Sequence, residues 1–261
     1  MKYGLPFWFT HLKNGLDYAF DTFYSIGLDY LELSLNYPMN EIASDRDFIK
    51  KLKKLSERYE IEINVHAPHT GVEMASPIDE IRDISLKILK KSLKIAKKLE
   101  SRYLNFHLQV NPVFLKLEET REKVYCNSRY ILEKISKNAK KMLITVENDG
   151  KALSRPEELE ILKDYENIML CFDIAHTYSA NIDIYEWFGF YDNIYVTHIH
   201  DLSFKDGKGH KYIGEGDLDF NYISSYIKIF NPEYVLVEIF YDISDIHTLE
   251  KNIKKVRDMF R

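Results

Sequence analysis

Six successive apolar runs in this chain each finish on a side chain able to bind a metal ion. They are IEINVH (61–66), RYLNFH (102–107), MLITVE (142–147), NIMLCFD (167–173), NIYVTH (193–198) and EYVLVE (233–238). Their last residues are His66, His107, Glu147, Asp173, His198 and Glu238. With 9 His and 41 Asp or Glu among 261 residues, chance does not readily give such endings in a row. In a parallel β/α barrel the C-terminal strand ends all open onto one mouth, where the active site sits. The pattern therefore predicts ligands converging from different strands on bound metal.

Strand-like and helix-like stretches alternate along the whole chain. The strands are expected at 2–7, 30–35, 61–66, 103–107, 143–147, 168–173, 194–198 and 234–239. Helices are expected at about 16–25, 45–59, 77–99, 117–139, near Arg155, 184–188, 220–230 and 244–260. Strands alternating with helices imply a parallel sheet, and this many units imply closure into a (β/α)8 TIM barrel, a fold of about 250 residues. The expectation is a single domain over residues 1–261. A doubly wound open sheet is disfavoured, because no glycine-rich phosphate loop follows the first strand.

Local chemistry marks the helix starts. Ser44 with Asp47, Ser76-Pro77 with Asp79, and Ser154 with Glu157 each place a hydroxyl and a carboxylate where first-turn amides need acceptors. Between 81 and 99, Ile81, Ile84, Ile88, Ile95 and Leu99 recur at helical spacings, with lysines between them. That reads as an amphipathic helix packed on a barrel, its lysines in solvent.

The formal net charge of −5 supplies no global field for nucleic acid. Only Cys126 and Cys171 are present, too few and too far apart for a disulfide framework or a cysteine zinc motif. Cys171, inside IMLCF, reads as a small buried hydrophobe. No segment reaches the length of an apolar membrane span, and MKYGLPFWFTHLKNG lacks a signal-peptide apolar region. A soluble cytoplasmic protein without membrane partners is expected.

Seven of the nine histidines fall between 66 and 210, at or just beyond strand ends. Glu147, Asp173, His198 and Glu238 offer three carboxylates and an imidazole, a mixture that suits Zn, Mn, Mg or Co. His66 and His107 could share Glu147 and hold a second ion, or orient a substrate hydroxyl. His176 and His210 could hold a third, or remain solvated. Glu32 points into the barrel if Leu31, Leu33 and Leu35 face the helices.

The motifs NVHAPH (64–69), LNFH (104–107), VEN (146–148), FDIAH (172–176), HIHD (198–201), GHKYIGEGDLDF (209–220) and VEI (237–239) occur here in the order found in one family. In them the chain resembles the xylose isomerase-like TIM barrels, which include sugar and sugar-phosphate isomerases or epimerases and endonuclease IV. The resemblance implies that Glu147, Asp173, His198 and Glu238 form the shared metal tetrad. It implies that His66, His107, His176 and His210 match the further ligands of a three-zinc cluster. One departure concerns the aspartate that endonuclease IV carries two residues before the position of His210. Here that residue is Lys208. A protonated lysine cannot ligate and repels a third cation. The loops NYPMNEIAS and LQVNPVF also lack the Arg and Lys a DNA-wedging enzyme needs.

Two functions follow. One is a metal-dependent isomerase or epimerase of a sugar or sugar phosphate, with one or two ions and with Glu147 and Glu238 moving the proton. The other is an endonuclease IV-like phosphodiesterase acting on abasic DNA. Under the first, His69, His200 and Trp8 are expected to touch substrate, and Lys205, Lys208 and Lys211 to clamp its anionic group.

Overall fold

The computed structural model describes residues 1–260. Eight parallel strands close in sequence order into one barrel: β1 (Lys2–Phe7), β2 (Tyr30–Ser34), β3 (Glu62–His66), β4 (Tyr103–His107), β5 (Leu143–Glu147), β6 (Ile168–Asp173), β7 (Ile194–Ile199) and β8 (Tyr234–Val237). Every expected strand is present. Outside them run α1 (Leu16–Ser25), α2 (Met39–Ile42), α3 (Arg46–Tyr59), α4 (Asp79–Leu99), α5 (Glu118–Ala139), α6 (Pro156–Leu159), α7 (Ile174–Ser179), α8 (Phe220–Phe230) and α9 (Ile246–Phe260). Among the described residues no helix is long and apolar enough to cross a membrane.

Because side chains alternate along a strand, each strand sends one set outward to the helices and the other into the barrel. Leu31, Leu33, Val65, Leu104, Phe106, Val146, Leu170 and Phe172 belong to the large apolar layer beneath the helices. The inward set is stratified. At the N-terminal strand ends Tyr30, Tyr103 and Tyr234 meet edge to face, with ring centres 5.0 and 5.3 Å apart about Tyr234. The next level is polar: the Tyr103 hydroxyl donates to Glu32 at 2.5 Å, and Thr145 donates to Asn105 at 3.0 Å. The top level holds His66, His107, Glu147, Asp173 and His198, all buried. A register shift between Leu170 and Cys171 brings Asp173 level with His198 on the neighbouring strand.

Several local expectations need correction. On α4 Ile95 and Leu99 are buried and Ile88 packs against the core, as expected, together with Leu86, Leu89, Leu93 and Ala96, whereas Ile81 and Ile84 are exposed. Only the first turns of the expected row face solvent. The α3 cap is Asp45, whose carboxylate accepts from Asp47 N, while Ser44 turns back to Asn40 O. Ser76 accepts from Ile78 N ahead of α4, which is capped by no side chain. At α6 the carboxylate over the first amides belongs to Glu158, one residue later than expected. That helix is a single turn continued by a 3-10 segment, Glu160–Asp164, and residues 184–190 are 3-10 as well. The short α7 had no periodicity long enough to read; Asp173 starts it by accepting from His176 N at 2.7 Å.

Candidate metal centre

Glu147, at the end of β5, is the centre of the mouth. One of its oxygens, Oε2, lies 2.7 Å from Asn105 Nδ2, 3.2 Å from His66 Nε2, 3.3 Å from His198 Nδ1 and 3.4 Å from His107 Nε2. His198 Nδ1 lies in turn 3.0 Å from Glu238 Oε2. On its other side His198 Nε2 is 3.4 Å from Glu32 Oε1. Glu147, Asp173, His198 and Glu238 each bring a donor atom to within 4.8 Å of the others. The tetrad expected from the strand endings is thus assembled, with His66 and His107 beside it.

Burial, taken alone, would discharge these groups. It works against a charge on His66, but the hydrogen bond and charge of Glu147 outweigh it and lift the pKa to about 9. His176 is likewise raised to about 9, against burial, by Asp173 and Glu147. Burial also opposes ionised Glu147 and Glu238, yet the neighbouring histidine charges hold both carboxyls well below their usual range. Protons on His66 and His176 thus supply positive charge beside these carboxylates, whereas burial lowers the pKa of His107.

Hydrogen bonds orient the rings. His66 Nδ1 is 2.7 Å from Ala67 O, His176 Nδ1 is 2.9 Å from Asn148 O, and His210 Nδ1 is 2.9 Å from Glu238 O. A carbonyl can only accept, so each Nδ1 carries hydrogen and each Nε2 is the atom left for a ligand. Asn148 ties the ends of β5 and β6 together: its amide accepts from Asp173 N at 2.7 Å and donates to Asp173 O at 2.9 Å.

The fit to a divalent ion rests on the donor set and on orphaned atoms. His107 Nδ1, Asp173 Oδ2 and His198 Nε2 are buried without a well-formed hydrogen bond. Such atoms cost about 1–3 kcal/mol each, and carboxylates crowded with imidazoles suit Zn, Mn or Co. Cys171 is fully buried, as expected. It faces the barrel interior, with Sγ 3.9 Å from Glu147 Oε2, and burial pushes its thiol well up.

A cavity of about 380 Å³ opens above the tetrad, walled by His69, His107, Glu147, His176, His200, His210 and Glu238, with Lys151 at its rim. His69 is held by Asn36, whose carbonyl oxygen accepts from His69 N and Thr70 N at 3.1 Å. Burial, then the charges of His66 and His107, lowers its pKa to about 4, so it is neutral at pH 7. Trp8 packs on Phe240, itself stacked on His210, with centres 5.5 and 4.7 Å apart. The loop lysines stand elsewhere. Lys208 Nζ lies 3.6 Å from Asp206, Lys211 Nζ lies 3.4 Å from Glu215 O, and Lys205 is exposed.

That loop is shaped by Asp201, whose role the sequence did not disclose. Its buried carboxylate accepts from the backbone N–H of Leu202, Gly214, Gly216 and Leu218 at 2.8–3.2 Å. A Cβ on Gly216 would lie 2.4 Å from Asp201 Oδ1, so only glycine fits there. Asn105, Asn148 and Asp201 lie inside motifs visible in the sequence, but nothing in residue order says which backbone groups they hold.

Residues 20–261 match the family model described as xylose isomerase-like TIM barrel. The chain belongs to that family. An uncharacterized protein of Methanocaldococcus jannaschii is 24% identical over 87% of this chain and 88% of its own length. The apurinic-apyrimidinic endonuclease 1 of Plasmodium falciparum is 26% identical over 71% of this chain but only 36% of the longer protein. Two solved structures superpose closely on the chain. A D-tagatose 3-epimerase-like protein gives a TM-score of 0.77 at 23% identity, covering 99% of this chain and 98% of its own. The IolI protein, solved with a zinc atom, gives 0.78 at 18% identity, covering 99% and 96%.

Proposed function

We propose that the protein is a divalent-metal-dependent isomerase or epimerase of a sugar or sugar phosphate. The observation that carries this reading is the convergence of Glu147, Asp173, His198 and Glu238 within 4.8 Å beneath a small-ligand cavity. Those four residues would hold one ion, and His66 and His107 would hold a second through shared Glu147. A bound ion supplies positive charge to neighbouring substrate oxygens and so stabilises an enediolate.

The chain's own residues move the proton. Glu147 and Glu238 approach the same nitrogen of His198, at 3.3 and 3.0 Å, from different strands. Both are held ionised, the state in which a carboxylate can take a proton from the carbon beside a carbonyl. One carboxylate would remove that proton; for inversion the other would first take a proton from solvent and deliver it to the carbon, whereas handing the removed proton to the neighbouring carbon would shift the carbonyl. Neutral His69 positions a hydroxyl. Lys151 at the rim, with Lys205, Lys208 and Lys211 farther out on their loop, favours an anionic group.

A second reading has its own support. The His66–His107–Glu147 cluster, together with His176 and His210, exceeds what one ion needs, and an abasic endonuclease is among the relatives. Hydrolysis of a phosphodiester in abasic DNA is that alternative. Against it stand the loops at 36–44 and 108–114, which carry no Arg or Lys.

The test is one metal-loaded preparation given a panel of ketoses and ketose phosphates in D2O, and in parallel an abasic-site duplex. Deuterium entering a sugar carbon, abolished by Glu147→Gln and by Glu238→Gln, is the expected result. Duplex nicking that depends on His66 and His107, with no exchange into any sugar, would replace the first reading by the second.

A further inference from the structure

His200 is oriented opposite to its neighbours. His66, His176 and His210 each give Nδ1–H to a backbone carbonyl. His200 Nδ1 lies 3.3 Å from Asp201 O, but its shorter contact is with the backbone N–H of His210, from which it accepts at 2.8 Å. An imidazole nitrogen that accepts carries no hydrogen, so the neutral ring has its hydrogen on Nε2. That atom faces Asp173 Oδ2 at 3.3 Å. Both atoms are buried and have no well-formed hydrogen bond, so this contact is the one open to them.

The ring is fixed from above as well. It stacks on His210, with centres 4.3 Å apart. Gly209 lies so close that a Cβ there would fall 2.8 Å from His200 Cε1. The loop after β7 therefore dictates which nitrogen of His200 is protonated and where it points.

We propose that His200 is a positioning residue, not a ligand: its Nε2–H holds Asp173 Oδ2 and so sets the metal-binding carboxylate from the loop. The proposal rests on the reading of Asp173 as a ligand given above. It also excludes a cation that geometry alone would admit, since His200, His210 and Glu238 bring donor atoms within 4.8 Å of one another. With Nδ1 engaged and Nε2 protonated, His200 has no lone pair to give. A carboxylate oxygen has two, so Asp173 Oδ2 can take the N–H and still face an ion.

The tautomer is read in metal-free protein labelled with ¹⁵N-histidine. Long-range ¹H–¹⁵N correlations should show His200 with hydrogen on Nε2 and a bare Nδ1. Hydrogen on Nδ1 would overturn the proposal. The second measurement is zinc binding by chelator competition and by zinc per chain at saturation. His200→Ala should weaken binding about 10–100-fold without lowering the number of ions at saturation, and His200→Gln, which keeps an N–H donor, should recover part of the loss. Gly209→Ala, which pushes the ring aside, should weaken binding in the same direction. Loss of a whole zinc equivalent in His200→Ala would make it a ligand and refute the inference. Wild-type protein that takes up no zinc would instead refute the metal reading, while the tautomer would still decide how His200 meets Asp173.

Discussion

Four nitrogen atoms crowd Glu147 Oε2, and a carboxylate oxygen has two lone pairs. A cation in the proposed site would replace the donors that outnumber those lone pairs. Replacing Glu147 by Gln keeps the shape and removes the charge. Elemental analysis should then find less metal per chain, and proton exchange should fall by at least 100-fold, the scale of general acid–base catalysis. Glu32 acts one step away, beside His198 Nε2 and under the Tyr103 hydroxyl. Glu32→Gln should weaken metal binding about 10-fold, the low end of effects from groups that orient ligands. Chelator competition reads this, and unchanged affinity would make Glu32 mere filling. The candidate ligand residues were legible because each ends an apolar run. Ring orientation was not, since it depends on carbonyls of Ala67, Asn148 and Glu238, brought near by folding.

Strands β3 to β8 were readable for the same reason that they are buried, and α3, α4 and α5 are long enough for their period to show. The short helices α2 and α7 were not, because a period needs more than a turn or two to be seen, whereas α6 was marked near Arg155 by its capping residues. The loop from β7 to α8 is a different case: irregular, it is ordered by one carboxylate. Asp201→Ala would strand its buried backbone N–H partners. It should destabilise the fold by about 3 kcal/mol, the scale of breaking charge-assisted hydrogen bonds. Chemical denaturation measures that, and limited proteolysis should cut first between 203 and 217. Helix α4 shows how a buried face can be right at one end and wrong at the other: Ile95 and Leu99 are buried, while Ile81 and Ile84 fit the same period but lie exposed.

For the molecule as a whole, the mouth links acidity to both stability and metal binding. His66 and His176 bind protons up to about pH 9 when folded, against 6.5 for an ordinary histidine. Their contribution to stability is therefore full below pH 6.5 and disappears as pH rises to 9. The same protons must leave when a cation enters, so metal affinity should climb across that window. The Tm of metal-free protein should fall from pH 6.5 to 9, and that of zinc-loaded protein should fall less. Closure of the barrel was foreseeable from the alternation of strand and helix over the whole chain. The register shift in β6, which no residue pattern announces, was not.

The ring contacts at the mouth give the protein an optical signal of its own. It has 2 Trp, and Trp187 is sealed in the core while Trp8 leans on Phe240 and through it on His210. A ligand settling on His210 alters the surroundings of one indole and leaves the other unchanged. Tryptophan emission should therefore track occupancy without any label, and Trp8→Phe should silence the change while leaving the Trp187 band in place.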